Sequence, residues 1–355
     1  MNYVVIMQKF FNHKLIRSLL VYVVALAIAF GVISLIILLL GFDVTLALST
    51  LLTTTFRSSF GFQETLKKTI TLVFTTYAFA IPFWIKYFNI GGVGQMMVGG
   101  VAASIVGLIL STAGIHPAFA LFVMILAGIL AGAFYAGIAG YLQAKYSINT
   151  IVSTIMLNFV AVLIVNYFST TAPWRDPIAG HPMTIRLPVE YTLGKINGVV
   201  PFSLIFAFLT IIIVCLLLHK TKLGFEIKAV GFNLNAAKTY GINYGKTIIM
   251  TFMLAGSLSG LGGALEVLTV HGRLVEGFEL TSGAQYGIFG ILTALVAAGN
   301  PLGIPFSAFL MSVLLVGADA LQRTMEIPVE MVFLTQAIIV LLIVAMRGRM
   351  EVGKK

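Results

Sequence analysis

The run Ala118-Phe-Ala-Leu-Phe-Val-Met-Ile-Leu-Ala-Gly-Ile-Leu-Ala-Gly-Ala-Phe-Tyr-Ala-Gly-Ile-Ala-Gly-Tyr-Leu-Gln143 carries no charge between Pro117 and Lys145. A membrane-crossing helix needs about 20 consecutive apolar residues, and this run exceeds that length. The rest of the 355 residues resembles it: 59% are hydrophobic and 10% charged, against roughly a quarter charged in a soluble domain. Mean hydropathy is +1.04. A chain so poor in polar residues cannot cover two soluble domains with polar surface. The expected fold is therefore an all-α polytopic membrane protein. Its single cysteine, Cys215, excludes an intrachain disulfide and a cysteine-based metal site.

Apolar runs bounded by charge, Pro or Gly predict about ten transmembrane helices, near 18–41, 69–86, 90–112, 118–143, 148–170, 201–219, 247–270, 285–299, 303–318 and 331–346. The runs 285–299 and 303–318 are short for a simple crossing, so some helices are expected to be broken or re-entrant. The first run follows Lys9, Lys14 and Arg17 and is too long for a signal-peptide core, which predicts a retained span. Ten crossings put both termini on one side. With N- and C-termini cytoplasmic, the inner segments hold most of the 22 basic residues, among them Lys220, Lys222, Lys228, Lys238, Lys246, Arg347 and Arg349. Most acids, including Asp43, Glu64, Asp176, Glu190 and Asp319, then fall outside. That asymmetry is the positive-inside pattern. The net charge of +10 thereby faces anionic membrane lipid and gives no support to nucleic-acid binding.

The reading is a single transmembrane domain over 1–355 with two long loops. The outer loop, 171–200, contains Pro173, Pro177, Pro182 and Pro188 and reads as an ordered lid or docking loop. The inner loop, 219–246, carries five lysines against Glu226 and reads as helix, a break at Gly231, an Asn233 cap, a short helix and a stop at Gly241. Polar groups inside the bilayer are costly and tend to face a cavity or another helix. Glu266 is the one acid placed within a span; it either pairs locally or lines a path. Asn89 and Gln95 flank Gly91, Gly92 and Gly94, where a backbone break would free amides for a solute or allow close packing. Asn158 can bond a neighbouring helix or face the pore. Gly128-x-x-x-Gly132 and Gly256-x-x-x-Gly260 predict close helix approach. Trp84 reads as an interfacial anchor and Trp174 as loop packing or docking. His13, His116, His181, His219 and His271 form no ligand-spaced pair, so no metal site is expected.

Gly231-x-Asn233-x-x-Ala236-Ala237-x-x-x-Gly241-Ile242 resembles the coupling loop of ABC importer permeases, in the branch serving nucleosides, simple sugars and branched-chain amino acids. Phe88-Asn89-Ile90-Gly91-Gly92-Val93-Gly94-Gln95 is similar to a further stretch of the nucleoside and simple-sugar permeases. Ser153-Thr-Ile-Met-Leu-Asn158, Pro173-Trp-Arg-Asp-Pro177, Thr221-Lys-Leu-Gly-Phe225 and Asn300-Pro-Leu-Gly-Ile304 agree in the same order. The resemblance covers about residue 70 to the C-terminus. Val93 departs from it, standing where the family usually has Glu.

The resemblance implies a passive transport subunit without catalytic residues. It would pair with a second copy or a paralogue, bind cytosolic ABC ATPases that use ATP and Mg, and receive a small-molecule substrate from an extracytoplasmic binding protein. It also implies a bacterial or archaeal cell membrane. The substrate path would involve Asn89, Gln95, Asn158 and Glu266, and the ATPase contact Gly231, Asn233, Ala236, Ala237 and Gly241. The chain itself has no P-loop: Gly241-Ile-Asn-Tyr-Gly245-Lys246-Thr247 is one residue short between its glycines. Nucleosides are the expected cargo and simple sugars the alternative. Two other classes fit less well. An intramembrane protease lacks its motif, since Gly256-Ser-Leu-Ser-Gly260 and Val316-Gly-Ala-Asp319 both miss. A proton-coupled secondary carrier would need titratable groups across the bilayer, and only Glu266 is on offer.

Overall fold

The computed structural model describes residues 27–326 apart from 29, 33, 199 and 277–283, together with 334, 337, 338, 341 and 342. The start of the first expected span, most of the last one and both termini lie outside these residues. After a short apolar helix at Phe30–Leu39, the chain forms helices α1 (Val44–Arg57), α2 (Ser59–Trp84), α3 (Gly92–Thr112), α4 (Pro117–Tyr146) and α5 (Thr150–Thr170). The segment between α5 and the next α-helix carries a small antiparallel hairpin, β1 (Lys195–Ile196) with β2 (Val200–Pro201). Then follow α6 (Ser203–Lys220), α7 (Lys222–Phe232), α8 (Leu234–Thr239), α9 (Tyr244–Glu266) with a π-helical turn at Val267–His271, α10 (Ala284–Val296) and α11 (Ile304–Met325).

Among the described residues, six helices are long and apolar enough to cross a membrane: α3, α4, α5, α6, α9 with its π turn, and α11. Several expected boundaries move. α1 lies where no helix was expected; Asp43 starts it by accepting from the Leu46 amide at 2.9 Å. α2 begins at Ser59 because Glu64, Lys67 and Lys68 interrupt the apolar run without interrupting the helix, Lys67 pairing with Glu64 at 2.6 Å. The run at 303–318 is not short: α11 continues to Met325 and contains Asp319, so Glu266 is not the only acid within a long apolar helix. α10 is short, as its run predicted, at 13 residues.

The chain divides into two compact units, residues 62–312 and a second formed by 1–61 with 313–355. In the smaller, α11 lies directly on α1, where a Cβ on Gly317 would collide with the Leu51 carbonyl. In the larger, α3, α4 and α9 meet through glycines. A Cβ on Gly132 would strike the Gly256 carbonyl, one on Gly260 the Gly128 carbonyl, and one on Gly99 the Gly260 backbone. Lipid tails are as apolar as leucine, so helices in a membrane associate by close packing rather than hydrophobic burial. The two small-residue motifs thus face each other across one junction. Against it, α2, α6 and α9 pack Ile70, Phe74, Ala207, Leu261 and Leu265 into a cluster beside Glu266. α4, α5 and α6 turn large side chains such as Phe122, Phe134, Phe159 and Phe208 outward, as lipid-facing helices do.

Candidate translocation and coupling sites

Three of the four polar residues expected along the path come together at one place, the turn between α2 and α3. Pro82 has no N–H, so the Ala78 carbonyl four residues earlier loses its helical partner. Asn89 supplies the replacement, its Nδ2 donating to that carbonyl at 3.0 Å. The same amide pairs with Gln95, Nδ2 to Oε1 at 3.1 Å and Gln95 Nε2 to Oδ1 at 2.9 Å, while Asn89 Oδ1 also accepts from the Gly91 amide at 3.1 Å. Both side chains are buried, at 1% and 2% exposure.

α3 opens at Gly91, which has no side chain to cap it. Asn158 on α5 caps it from outside, accepting from the Gly94 amide at 2.8 Å and donating to the Ile90 carbonyl at 3.1 Å. Thr154 adds a hydroxyl against the Ile90 amide at 3.3 Å, and Ser259 on α9 donates to the Gly92 carbonyl at 2.6 Å. The glycines follow from this clasp: a Cβ on Gly94 would lie 2.8 Å from Asn158 Oδ1, and one on Gly91 2.9 Å from Gln95 Nε2. Val93 is 7% exposed and sits against Gly287 of α10, where a Cβ would collide with it. Ser259 was not singled out from the sequence. Pro82 was the available signal for Asn89, since a proline inside a helix announces an orphan carbonyl.

Glu266 has a different set of partners. It is 4% exposed; its Oε2 accepts from Thr71 Oγ1 at 2.6 Å and its Oε1 lies 3.6 Å from His271 Nε2. A small cavity beside it is lined by Lys67, Ser203 and Thr269 together with Ile70, Leu265 and Val270. The groups Glu266 needs come from its own π turn and from α2, which is what a buried carboxylate requires.

The Trp84 indole N–H donates to the Gly299 carbonyl at 2.7 Å, which ties the end of α2 to the segment after α10. Trp174, in the loop 171–200, packs edge-on at 6.0 Å to Phe168 at the end of α5. That loop is pinned to the segment after α9. Thr184 and Leu187 donate to the carbonyls of Leu274 and Gly272 at 2.9 and 2.8 Å, Leu193 donates to Leu268 at 2.9 Å, and Arg273 lies 3.8 Å from Asp176. These bonds hold the proline-rich segment against the stretch after α9 instead of leaving it a slack connector.

In the loop 219–246, Thr221 caps α7 through the Gly224 amide at 3.1 Å and Asn233 caps α8 through the Ala236 amide at 3.1 Å. The break falls at Asn233, not at Gly231. Gly231 lies inside α7, where a Cβ would collide with the Trp84 carbonyl, so it brings the loop against the end of α2. Gly241 ends the unit at φ +77°. The two alanines differ: Ala237 is buried within its own chain, while Ala236 is exposed. Both line a groove of about 230 Å³ with Phe225, Ala229, Phe232 and Tyr240, Ala237 at its buried floor and Ala236 at its exposed side. Phe232 and Tyr240 are 91% and 87% exposed, so aromatic surface flanks this short capped element at both ends. Behind it, the Tyr87 and Tyr244 hydroxyls share a hydrogen bond, joined by Gln143 at 3.3 Å. Among the described residues no cluster of His, Cys, Asp and Glu could hold a metal ion.

One prediction concerns the clasp. Asn89→Leu strips partners from the Ala78 carbonyl, the Gly91 amide and both ends of Gln95. Each buried group left unpaired costs about 1–3 kcal/mol, so thermal unfolding in detergent should show a loss of at least ~2 kcal/mol. Adding Gln95→Leu should recover part of it, because removing both partners is milder than removing one. Full additivity of the two losses would contradict the pairing.

Residues 61–346 match the family described as branched-chain amino acid transport system / permease component. The chain is 28% identical over 336 residues to the nucleoside ABC transporter permease protein NupB of Lactococcus lactis, covering 92% of this chain and 91% of that one. It is 29% identical over 336 residues to the guanosine ABC transporter permease protein NupP of Bacillus subtilis, covering 93% and 94%. It is also 29% identical over 303 residues to the glucose ABC transporter permease protein TsgB13 of Haloferax volcanii, covering 82% and 77%. No solved structure matches it. A multi-pass helical chain whose family match runs from the start of α2 through all six long apolar helices among the described residues belongs to this permease family and is an ABC importer permease.

Proposed function

We propose that this permease imports nucleosides or related small solutes across a bacterial or archaeal cell membrane. In this reading the whole of 1–355 is one transmembrane permease domain with about ten spans and cytoplasmic termini. It pairs with a second copy or a paralogue. Cytosolic ABC ATPases bind the loop 219–246 and use ATP and Mg, and an extracytoplasmic binding protein docks over the loop 171–200. The substrate path runs beside the α2–α3 turn, bordered by Asn89, Gln95 and Asn158, with Glu266 as its acidic group. The observation that carries the nucleoside reading is the likeness to NupB and NupP over nearly the full length of all three chains. The basic-inside, acidic-outside loop pattern supports the orientation.

Simple sugars are the second reading, favoured by the likeness to TsgB13. Uptake of labelled guanosine into proteoliposomes containing the assembled transporter separates the two. Excess unlabelled uridine or adenosine should suppress uptake while excess glucose leaves it unchanged. Suppression by glucose and not by nucleosides would transfer the assignment to sugars.

A further inference from the structure

A groove of about 310 Å³ opens between α4 and α9 on the outer surface of the helices, lined by Phe134, Gly137, Ile138, Tyr141, Ile249 and Met253. Every lining side chain is apolar except the Tyr141 hydroxyl. Along α4, Phe134, Ile138 and Tyr141 form one stripe that continues to Lys145, and along α9, Met253 and Ile249 continue to Lys246, the spacings that place side chains on one helix face. Both stripes end on the same side, where Gly245 and Ala144 approach: a Cβ on Gly245 would be 3.8 Å from the Ala144 methyl. Lys145 and Lys246 are exposed there. The Lys145 ammonium donates to the Tyr141 hydroxyl at 2.8 Å and lies 5.3 Å from the Tyr146 ring, so it stands at the mouth of the groove.

Neither lysine has an acidic partner among the described residues. The nearby carboxylate of Glu226 is engaged by Thr247 at 3.3 Å and approached by Lys222 at 3.9 Å. A third ammonium, Lys238, lies 5.0 Å from the Tyr244 ring. An apolar channel parallel to the helices that ends in uncompensated positive charge matches one kind of molecule, with a hydrocarbon tail and an anionic head.

We infer that the α4–α9 groove binds one anionic phospholipid, its acyl chain along Ile138 and Met253 and its phosphate between Lys145 and Lys246. The inference uses the orientation proposed above only to assign the lipid to the cytoplasmic leaflet. Binding in micelles does not depend on that orientation, so failure of one is distinguishable from failure of the other. A bound lipid here would stiffen the α4–α9 pair beside the glycine junction, on the side from which the ATPase-facing loop enters α9.

The test is native mass spectrometry of the full chain in mixed micelles, titrated with phosphatidylglycerol or with phosphatidylcholine of the same acyl chains. The chain should retain one phosphatidylglycerol about 30-fold more tightly than phosphatidylcholine, the effect expected of two lysines at an anionic surface. Lys145→Gln with Lys246→Gln, both at exposed positions, should abolish the preference without changing the thermal transition. Ile138→Trp, which fills the groove, should lose both lipids. Equal binding of the two lipids, preference retained in the double lysine variant, or full competition by inorganic phosphate would each overturn the inference. So would a disulfide between two copies carrying Met253→Cys in native membranes, because a second copy would then cover the groove.

Discussion

Gly256→Leu should leave almost no monodisperse folded protein after extraction into detergent. At this position the α4 and α9 backbones touch: even a Cβ would strike the Gly132 carbonyl and the Ala136 methyl. Backbone cannot rotate out of the way as a flexible side chain can, so the helices must separate and give up the neighbouring contacts of Gly128, Gly132 and Gly260 together. Overpacking of this kind costs about 3 kcal/mol or more, a large part of a total stability of about 5–15 kcal/mol. Gly245→Ala is the control, since its Cβ would meet only ordinary contacts at 3.8 Å. Size-exclusion profiles and thermal unfolding of the two variants check this. A Gly256→Leu protein as stable as the Gly245→Ala protein would mean that the helices do not cross here.

The second large effect is expected at Ala236. Under the proposed coupling role, ATPase closure reaches the helices through a stiff cytoplasmic element, and α8 with its Asn233 cap and Gly241 stop is built as one. Ala236→Glu puts a carboxylate into the apolar groove beside Phe232 and Tyr240, where an unpaired charge covered by a partner costs several kcal/mol. Uptake should fall at least ~100-fold and ATPase binding should weaken, with insertion and thermal stability unchanged. Ala237→Glu should behave differently, because Ala237 is 4% exposed within its own chain and the anion would disrupt the loop itself. Equal loss of stability in the two variants would remove the distinction between the outward and the inward alanine.

Much of this was legible in the sequence, for identifiable reasons. Apolar length reports membrane helices directly, and the runs at 90–112, 118–143 and 148–170 became α3, α4 and α5 with small shifts. The glycine motifs were readable because close helix packing in lipid has few sequence solutions. The Asn233 cap and Gly241 stop were readable because backbone chemistry at helix ends restricts the residues allowed. Extents were harder to read. Glu64, Lys67 and Asp319 interrupt hydropathy but not a helix, so α2 and α11 are longer than their apolar cores. Contacts between distant segments were harder still. Nothing local says that Asn158 caps α3 across to α5, that Thr71 holds Glu266, or that Ala237 rather than Ala236 turns inward; these depend on which helices meet. Asn89 stands between, since Pro82 announces an orphan carbonyl but not the side chain that will reach it.

The central claim is that this chain is the passive membrane half of an ATP-driven importer. Its most direct test is affinity purification of the chain from its native membrane, followed by reconstitution of what co-purifies and measurement of solute uptake. An ABC ATPase should co-purify, and uptake should require ATP and persist when a protonophore dissipates the proton gradient. Uptake by the chain alone, independent of ATP and abolished by the protonophore, would contradict the account.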